Sequence, residues 1–430
     1  MSEFENGYVD IGVDPLDTFP GDTHLADAVQ LSDDEPDDIG LYAERGDQFP
    51  DIESSNDEYS QDDQPRFADL VQEKVDALAS TRYQYTSELS TDIVAAQKEL
   101  LGEIGLPEDL VSSISHGLTV RQTVELRYLA NGIGYHNEYA AVRDDSRWRG
   151  VLERIHEQVS ALGVEQFVRA CEIGQYSCPD VFSVERLQCM ANLAAGEVPP
   201  DDDITLLLVD IEGDHNYGVT EQVEEYENRA GNVYMVQMNG LSDIYRVPVT
   251  LAKRHGLVAS TLAVLCHSDE DGMGTQQTEE SITVKPHDSG EGWQFGQAQI
   301  GRFAHTYMKP SHVTGERTIV MGGCALADNR EGYSSPIAAV SRRTNPEDRV
   351  VVAGSRAYVT SAVRLDTRDP EDAALIEDTF SHRGDVQRAL GREFVTFWNA
   401  EEDMPALAYC YRNTPNGITR SVEIGIPGIQ

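Results

Sequence analysis

Residues 204–211 read Ile-Thr-Leu-Leu-Leu-Val-Asp-Ile, a continuous apolar run with a carboxylate near its end. The same signature returns in NVYMVQMN (232–239), STLAVLCHS (260–268), TIVMGGCAL (318–326) and RVVVAGSRAYV (349–359). Helical stretches separate these runs near 218–230, 241–255 and 333–344. Strands that are apolar on both faces and alternate with helices need cover on both sides, which predicts a mostly parallel sheet between helices: an α/β fold. Further on, ALAYCYRN and ITRSVEIGI flank Thr414-Pro-Asn-Gly417, and the Asn-Gly step predicts an antiparallel hairpin.

Upstream of the first strand the composition breaks at Gly196-Glu-Val-Pro-Pro-Asp-Asp-Asp203. Before that break Phe67, Leu70, Val71, Val75 and Leu78 fall at helical spacing, and the pattern resumes through Leu89, Ile93, Val94 and Leu100. Thr119 with Gln122 three residues on has the form of a capping box and predicts a helix start there. Further helices are expected over 147–162, 164–172 and 183–195. The expected organisation is an all-helical module over 66–200 followed by an α/β domain over 201–430. Residues 1–65 hold twenty Asp and Glu against one Arg, with runs such as DDEPDD and little apolar mass to offset chain entropy. A disordered acidic tail is expected.

Charge narrows the function. Across 430 residues, 33 Lys and Arg face 75 Asp and Glu, a net charge of −42, of which −19 lies in residues 1–65 and −23 in the remainder. Direct binding to nucleic acid or to an anionic membrane is therefore not expected. Only five of the basic residues are lysines, and aromatics make up 7% of the chain. The pattern resembles that of proteins from extreme halophiles such as haloarchaea, in which concentrated salt screens the repulsion of a dense carboxylate surface. No run of eighteen apolar residues occurs and MSEFENGYVD lacks the regions of a signal peptide, so a cytoplasmic location is expected. The six cysteines are widely spread without metal-ligand spacing and are expected to be free thiols.

Ligands and catalytic groups of open parallel sheets gather beyond the carboxyl ends of the strands. Two reactive residues lie there. Leu262-Ala-Val-Leu-Cys266 leads to His267 and the polar loop Ser268-Asp-Glu-Asp-Gly-Met-Gly274, and Ile319-Val-Met321 leads to Gly322-Gly323-Cys324. An imidazole beside a thiol favours the thiolate, the form that attacks acyl carbon.

On these two segments, and on their separation of 57 positions, residues 203–365 resemble the caspase-like cysteine peptidases, with metacaspases and the CHAT and separase types as relatives. LAVLCHSDEDGMG is similar to the family's histidine strand and loop, and TIVMGGCALADN to the strand that ends in the cysteine. LLLVDIEGDHNYG resembles the first strand, and RVVVAGSRAYV the strand that helps to wall the substrate groove. The resemblance implies a peptide or protein substrate, Cys324 as nucleophile, His267 as its base, and oxyanion donors from the backbone around Ser268, Gly323 and Cys324. It implies no cofactor and no metal. The chain departs from the family where His267-Ser268 replaces His-Gly, and where Gly322-Gly323 replaces an acidic residue before the cysteine. The alternative reading is a catalytically inactive caspase fold or an interaction or virion scaffold. Asp210, Asp214 and His215 are weaker candidates for a metal, and His287, His305 and His312 lack ligand spacing.

Overall fold

A computed structural model of the chain describes residues 64–80, 86–133, 146–213, 218–227, 232–269, 272–274, 281–283, 300–327, 335–380, 393–423 and 425–426. The acidic tail expected over 1–65 lies outside the described residues except for its last two positions, which begin the first helix.

Helices come first: α1 (Gln64–Ser80), α2 (Thr86–Glu103), α3 (Glu108–Ile133), α4 (Ser146–Leu162), α5 (Val164–Gly174) and α6 (Val184–Ala194). On α1, Phe67, Val71, Val75 and Leu78 are buried, as their spacing demands. The Ser183 Oγ accepts the Arg186 N–H at 3.3 Å and caps α6. Thr119 does not start a helix. It lies inside α3, where its hydroxyl donates to the Ser115 carbonyl at 2.6 Å, so the Thr-x-x-Gln pair is a helical-interior pattern here. A short 3-10 turn, Pro179–Val181, joins α5 to α6 and carries Asp180, which is buried and bonded to Arg121 of α3 at 2.7 Å.

The sheet follows. Its first strands are β1 (Ile204–Val209), β2 (Asn232–Gln237) and β3 (Thr261–Leu265), separated by α7 (Gly218–Glu227) and α8 (Asp243–His255). Three short strands, β4 (Ser268–Asp269), β5 (Gly272–Gly274) and β6 (Ser281–Thr283), form a small antiparallel sheet, and a helix α9 covers 300–307. Then come β7 (Arg317–Met321), α10 (Pro336–Arg342), β8 (Val350–Ser355), β9 (Val359–Asp366) and α11 (Pro370–Phe380). The last strands are β10 (Glu393–Asn399), β11 (Met404–Ala406), β12 (Ala408–Thr414) and β13 (Gly417–Glu423).

The main sheet has seven strands in the order β13-β12-β8-β7-β3-β1-β2. Its five strands from β8 to β2 are parallel, and the terminal hairpin β12–β13 adds two antiparallel strands beside β8. Every residue of β3 and β8 is buried, which explains their unbroken apolar composition. The hairpin turn is not built on Asn-Gly as a central pair: Thr414 pairs with Gly417, so Pro415 and Asn416 form the loop and Gly417 takes the positive φ of 113°.

RVVVAGSRAYV is two strands, because the chain breaks at Arg356-Ala357-Tyr358 and β9 enters a separate antiparallel sheet with β10 and β11. One buried apolar cluster runs from Phe67 of α1 through the central strands to Ile426. Helices α5 and α6 pack directly on β2, the edge strand. Among the described residues no helix is long and apolar enough to cross a membrane.

Candidate active site

The chain passes from β1 to β2 on one side and returns to β3 on the other, so the strand order reverses beside β1 and opens a crevice at the carboxyl ends. Strands β3 and β7 are direct parallel neighbours there, with Val264 opposite Met321. His267 and Cys324 each stand three residues beyond that matched pair. The Gly322 N–H still bonds the Val264 carbonyl at 2.7 Å, after which the two segments part into loops.

Two glycines let the loops close on each other. A Cβ on Gly322 would lie 2.4 Å from Leu265 Cδ2 and 3.2 Å from the Val264 carbonyl oxygen. A Cβ on Gly323 would lie 2.0 Å from Ser268 Oγ, 2.8 Å from Ser268 Cβ and 3.0 Å from the Cys266 carbonyl oxygen. In their absence the Ser268 hydroxyl donates to the Cys324 carbonyl at 2.8 Å, joining the loop after His267 to the turn that holds the cysteine. The Gly323 N–H has no hydrogen-bond partner among the described residues.

On its other side the cysteine turn is tied to the start of β9. Cys324 Sγ donates to the Val359 carbonyl at 3.4 Å, and the Ala325 N–H to the Ala357 carbonyl at 2.9 Å. Ala325 adopts φ 54°, a left-handed conformation that costs a residue with a Cβ, and such strain gathers at functional sites.

Burial separates the thiols. All six are free, and only Cys324 and Cys189 are partly exposed. Cys266, next to His267, is 2% exposed, and burial pushes its thiol well above the ordinary range, with Asp210 and Cys324 adding to the rise. His267 and Ser268 are half-buried.

A polar network that sequence reasoning missed lies at the ends of β1 and β2. Glu212 accepts the Ser177 hydroxyl, Gln237 Nε2 donates to Ser177 Oγ at 2.5 Å, and Gln237 Oε1 accepts the Ser177 and Cys178 N–H groups at 3.1 and 3.2 Å. Asp210 is 1% exposed and accepts the Gly213 N–H at 3.2 Å. Gln222 of α7 is 4% exposed, its Oε1 has no partner among the described residues, and it lies 3.5 Å from where a Gly322 Cβ would be. The charged pair in Asp210-Ile-Glu212, closing an apolar strand, was the only sequence signal for this layer.

Among the described residues no group of three or more His, Cys, Asp or Glu could hold a metal ion, and Asp214, His215 and His287 lie outside them. His305 pairs with Asp348 at 2.8 Å, and the His312 N–H bonds Asp203. No family model, no curated protein and no solved structure matches the chain.

Proposed function

We propose that the chain is a caspase-like cysteine peptidase in which Cys324 and His267 act together. The observation that carries this reading is their equal offset beyond the paired positions of adjacent parallel strands, with the loops joined through Ser268 and Cys324. In this reading His267 takes the Cys324 thiol proton as sulfur attacks the peptide carbonyl carbon, then gives it to the leaving amine. A thioester remains, and water releases the acid. Gly323, whose N–H has no partner among the described residues, and the neighbouring backbone of Ser268 and Cys324 supply the oxyanion donors. The strand order β2-β1-β3-β7-β8, with histidine after the third and cysteine after the fourth, supports the family resemblance.

One contact favours a second reading, a catalytically inactive scaffold of the same fold. The bond from Cys324 Sγ to the Val359 carbonyl needs the sulfur to keep its proton, which opposes thiolate formation. Alkylation decides between the two. With iodoacetamide at pH 7 in molar KCl, Cys324 of the peptidase reacts at least about tenfold faster than the half-exposed Cys189, and His267→Ala removes most of that advantage. Cys324→Ala abolishes both this labelling and cleavage of an unfolded protein substrate, whereas Cys266→Ala leaves the Cys324 labelling intact. Equal sluggishness of Cys324 and Cys189 would defeat the peptidase reading and favour the scaffold.

A further inference from the structure

The inward face of α7 carries Val219, Val223 and Tyr226, all buried, and at helical spacing among them stands Gln222, 4% exposed. Three other glutamines are buried and bonded. Gln97 donates to Gln122 at 3.0 Å, Gln158 to the Pro179 and Phe182 carbonyls at 2.9 and 2.6 Å, and Gln237 to Ser177 at 2.5 Å. Gln222 differs, since neither end of its amide makes a hydrogen bond among the described residues. An enclosed amide oxygen without a donor costs stability that an apolar side chain of the same length would not.

This amide lies beside the cysteine turn. Its Oε1 is 3.5 Å from where a Cβ on Gly322 would be, so residue 322, two positions before Cys324, closes off no approach with a side chain of its own. Helix α7 packs on β9, and Val359, the first residue of β9, accepts the Cys324 Sγ hydrogen bond at 3.4 Å. The helix that carries the amide and the turn that carries the thiol thus share a neighbour.

We infer that Gln222 selects the substrate, and that the side chain it selects, on the residue whose carbonyl Cys324 attacks, is a carboxamide: Asn or Gln. The inference rests on the peptidase reading. In that reading the attacked carbonyl lies at the sulfur and the side chain of the same residue starts one carbon away, on the approach to Gly322. A carboxamide offers both bonds that Gln222 lacks, because its N–H donates to Oε1 and its oxygen accepts from Nε2. A carboxylate brings no donor, an ammonium no acceptor, and a hydrocarbon neither. A ligand that leaves the site's own buried polar groups unpaired is strongly rejected. Because Gln222 is enclosed in the free protein, the entering side chain parts α7 from the turn, and the unbonded amide favours that opening.

Peptidyl acyloxymethyl ketones that differ only in their last residue test this on the full-length protein in molar KCl. Sulfur displaces the carboxylate leaving group, the thiol proton passes to His267, and the thioether on Cys324 is read by mass spectrometry. The faster of the Asn and Gln probes is expected to label Cys324 at least about tenfold faster than the Leu, Asp and Lys probes. Gln222→Met is expected to erase the preference over Leu and to leave the melting midpoint unchanged or raised, because it keeps the length and removes the unbonded amide. A Gln222 that serves only the fold would do the opposite, lowering the midpoint and keeping the preference. An Asp, Lys or Leu probe that labels as fast as Asn and Gln, or a preference that survives Gln222→Met, would overturn the carboxamide assignment and leave the peptidase standing. Iodoacetamide labelling of Cys324 no faster than that of Cys189 would overturn both.

Discussion

Gly323 occupies a place where a methyl group would press on Ser268 and on the backbone of Cys266. Gly323→Ala is therefore expected to destabilise the fold by about 1–3 kcal/mol through overpacking. Adding Ser268→Gly, which removes the atoms it meets first, should recover most of that loss despite sacrificing the bond to the Cys324 carbonyl. Urea midpoints of the two single variants and the double check this, and simple additivity would show that the two residues do not meet. The buried thiols give a second prediction at this scale. Burial raises Cys171, Cys178, Cys266 and Cys410, Cys178 to about 12, while in the unfolded chain each ionises near the ordinary value of about 8.5. Above that pH the unfolded state sheds protons that the folded state keeps. Stability that is complete below the ordinary value is lost as pH climbs toward the folded values. Urea midpoints measured between pH 8 and 11 should fall, and Cys178→Ala should make the fall shallower.

The 3-10 turn Pro179–Val181 fastens α3 and α4 through Asp180, which is 1% exposed at its side chain and bonded to Arg121 at 2.7 Å and to the more exposed Arg154 at 3.4 Å. Asp180→Ala leaves Arg121 buried without its counter-ion and should cost about 3–5 kcal/mol, whereas the double change Arg121→Met with Asp180→Leu should cost much less. Chemical denaturation of the three proteins measures the difference. How far such elements can be read from sequence depends on where their partners lie. The strands β1, β3 and β8 were legible because burial on both faces forces an apolar run. His267 and Cys324 were legible because such runs end just before them. Thr119 misled because its hydroxyl serves equally well inside a helix. Strands β9 to β11 were not foreseen, since β9 and β10 are separated by a long stretch of chain and mix polar with apolar residues, and β11 is only 3 residues long with Pro405 at its centre. The network of Glu212, Ser177 and Gln237 joins residues 35 and 60 positions apart, and no local pattern records such a meeting.

For the molecule as a whole, the net charge of −42 is the dominant long-range term. If carboxylate repulsion limits the fold, the melting midpoint should rise steeply from dilute buffer to molar KCl and keep rising beyond the point at which simple screening saturates. A flat response would remove the case for a salt-adapted protein. Paired groups such as Arg412, which Glu316 and Glu423 hold charged at 3.1 and 2.9 Å despite its burial, should contribute little to that slope. The single apolar cluster from α1 to the sheet has a further consequence. The connection around Gly196–Asp203 is exposed over most of its length, with Val198 at 90%, and is bonded to the rest at its end, where Asp203 accepts the Ser311 hydroxyl and the His312 N–H at 2.7 and 2.8 Å. A protease that nicks it should release nothing: two fragments would co-migrate on a sizing column and melt in one transition, so an intact elution profile is no proof of an intact chain.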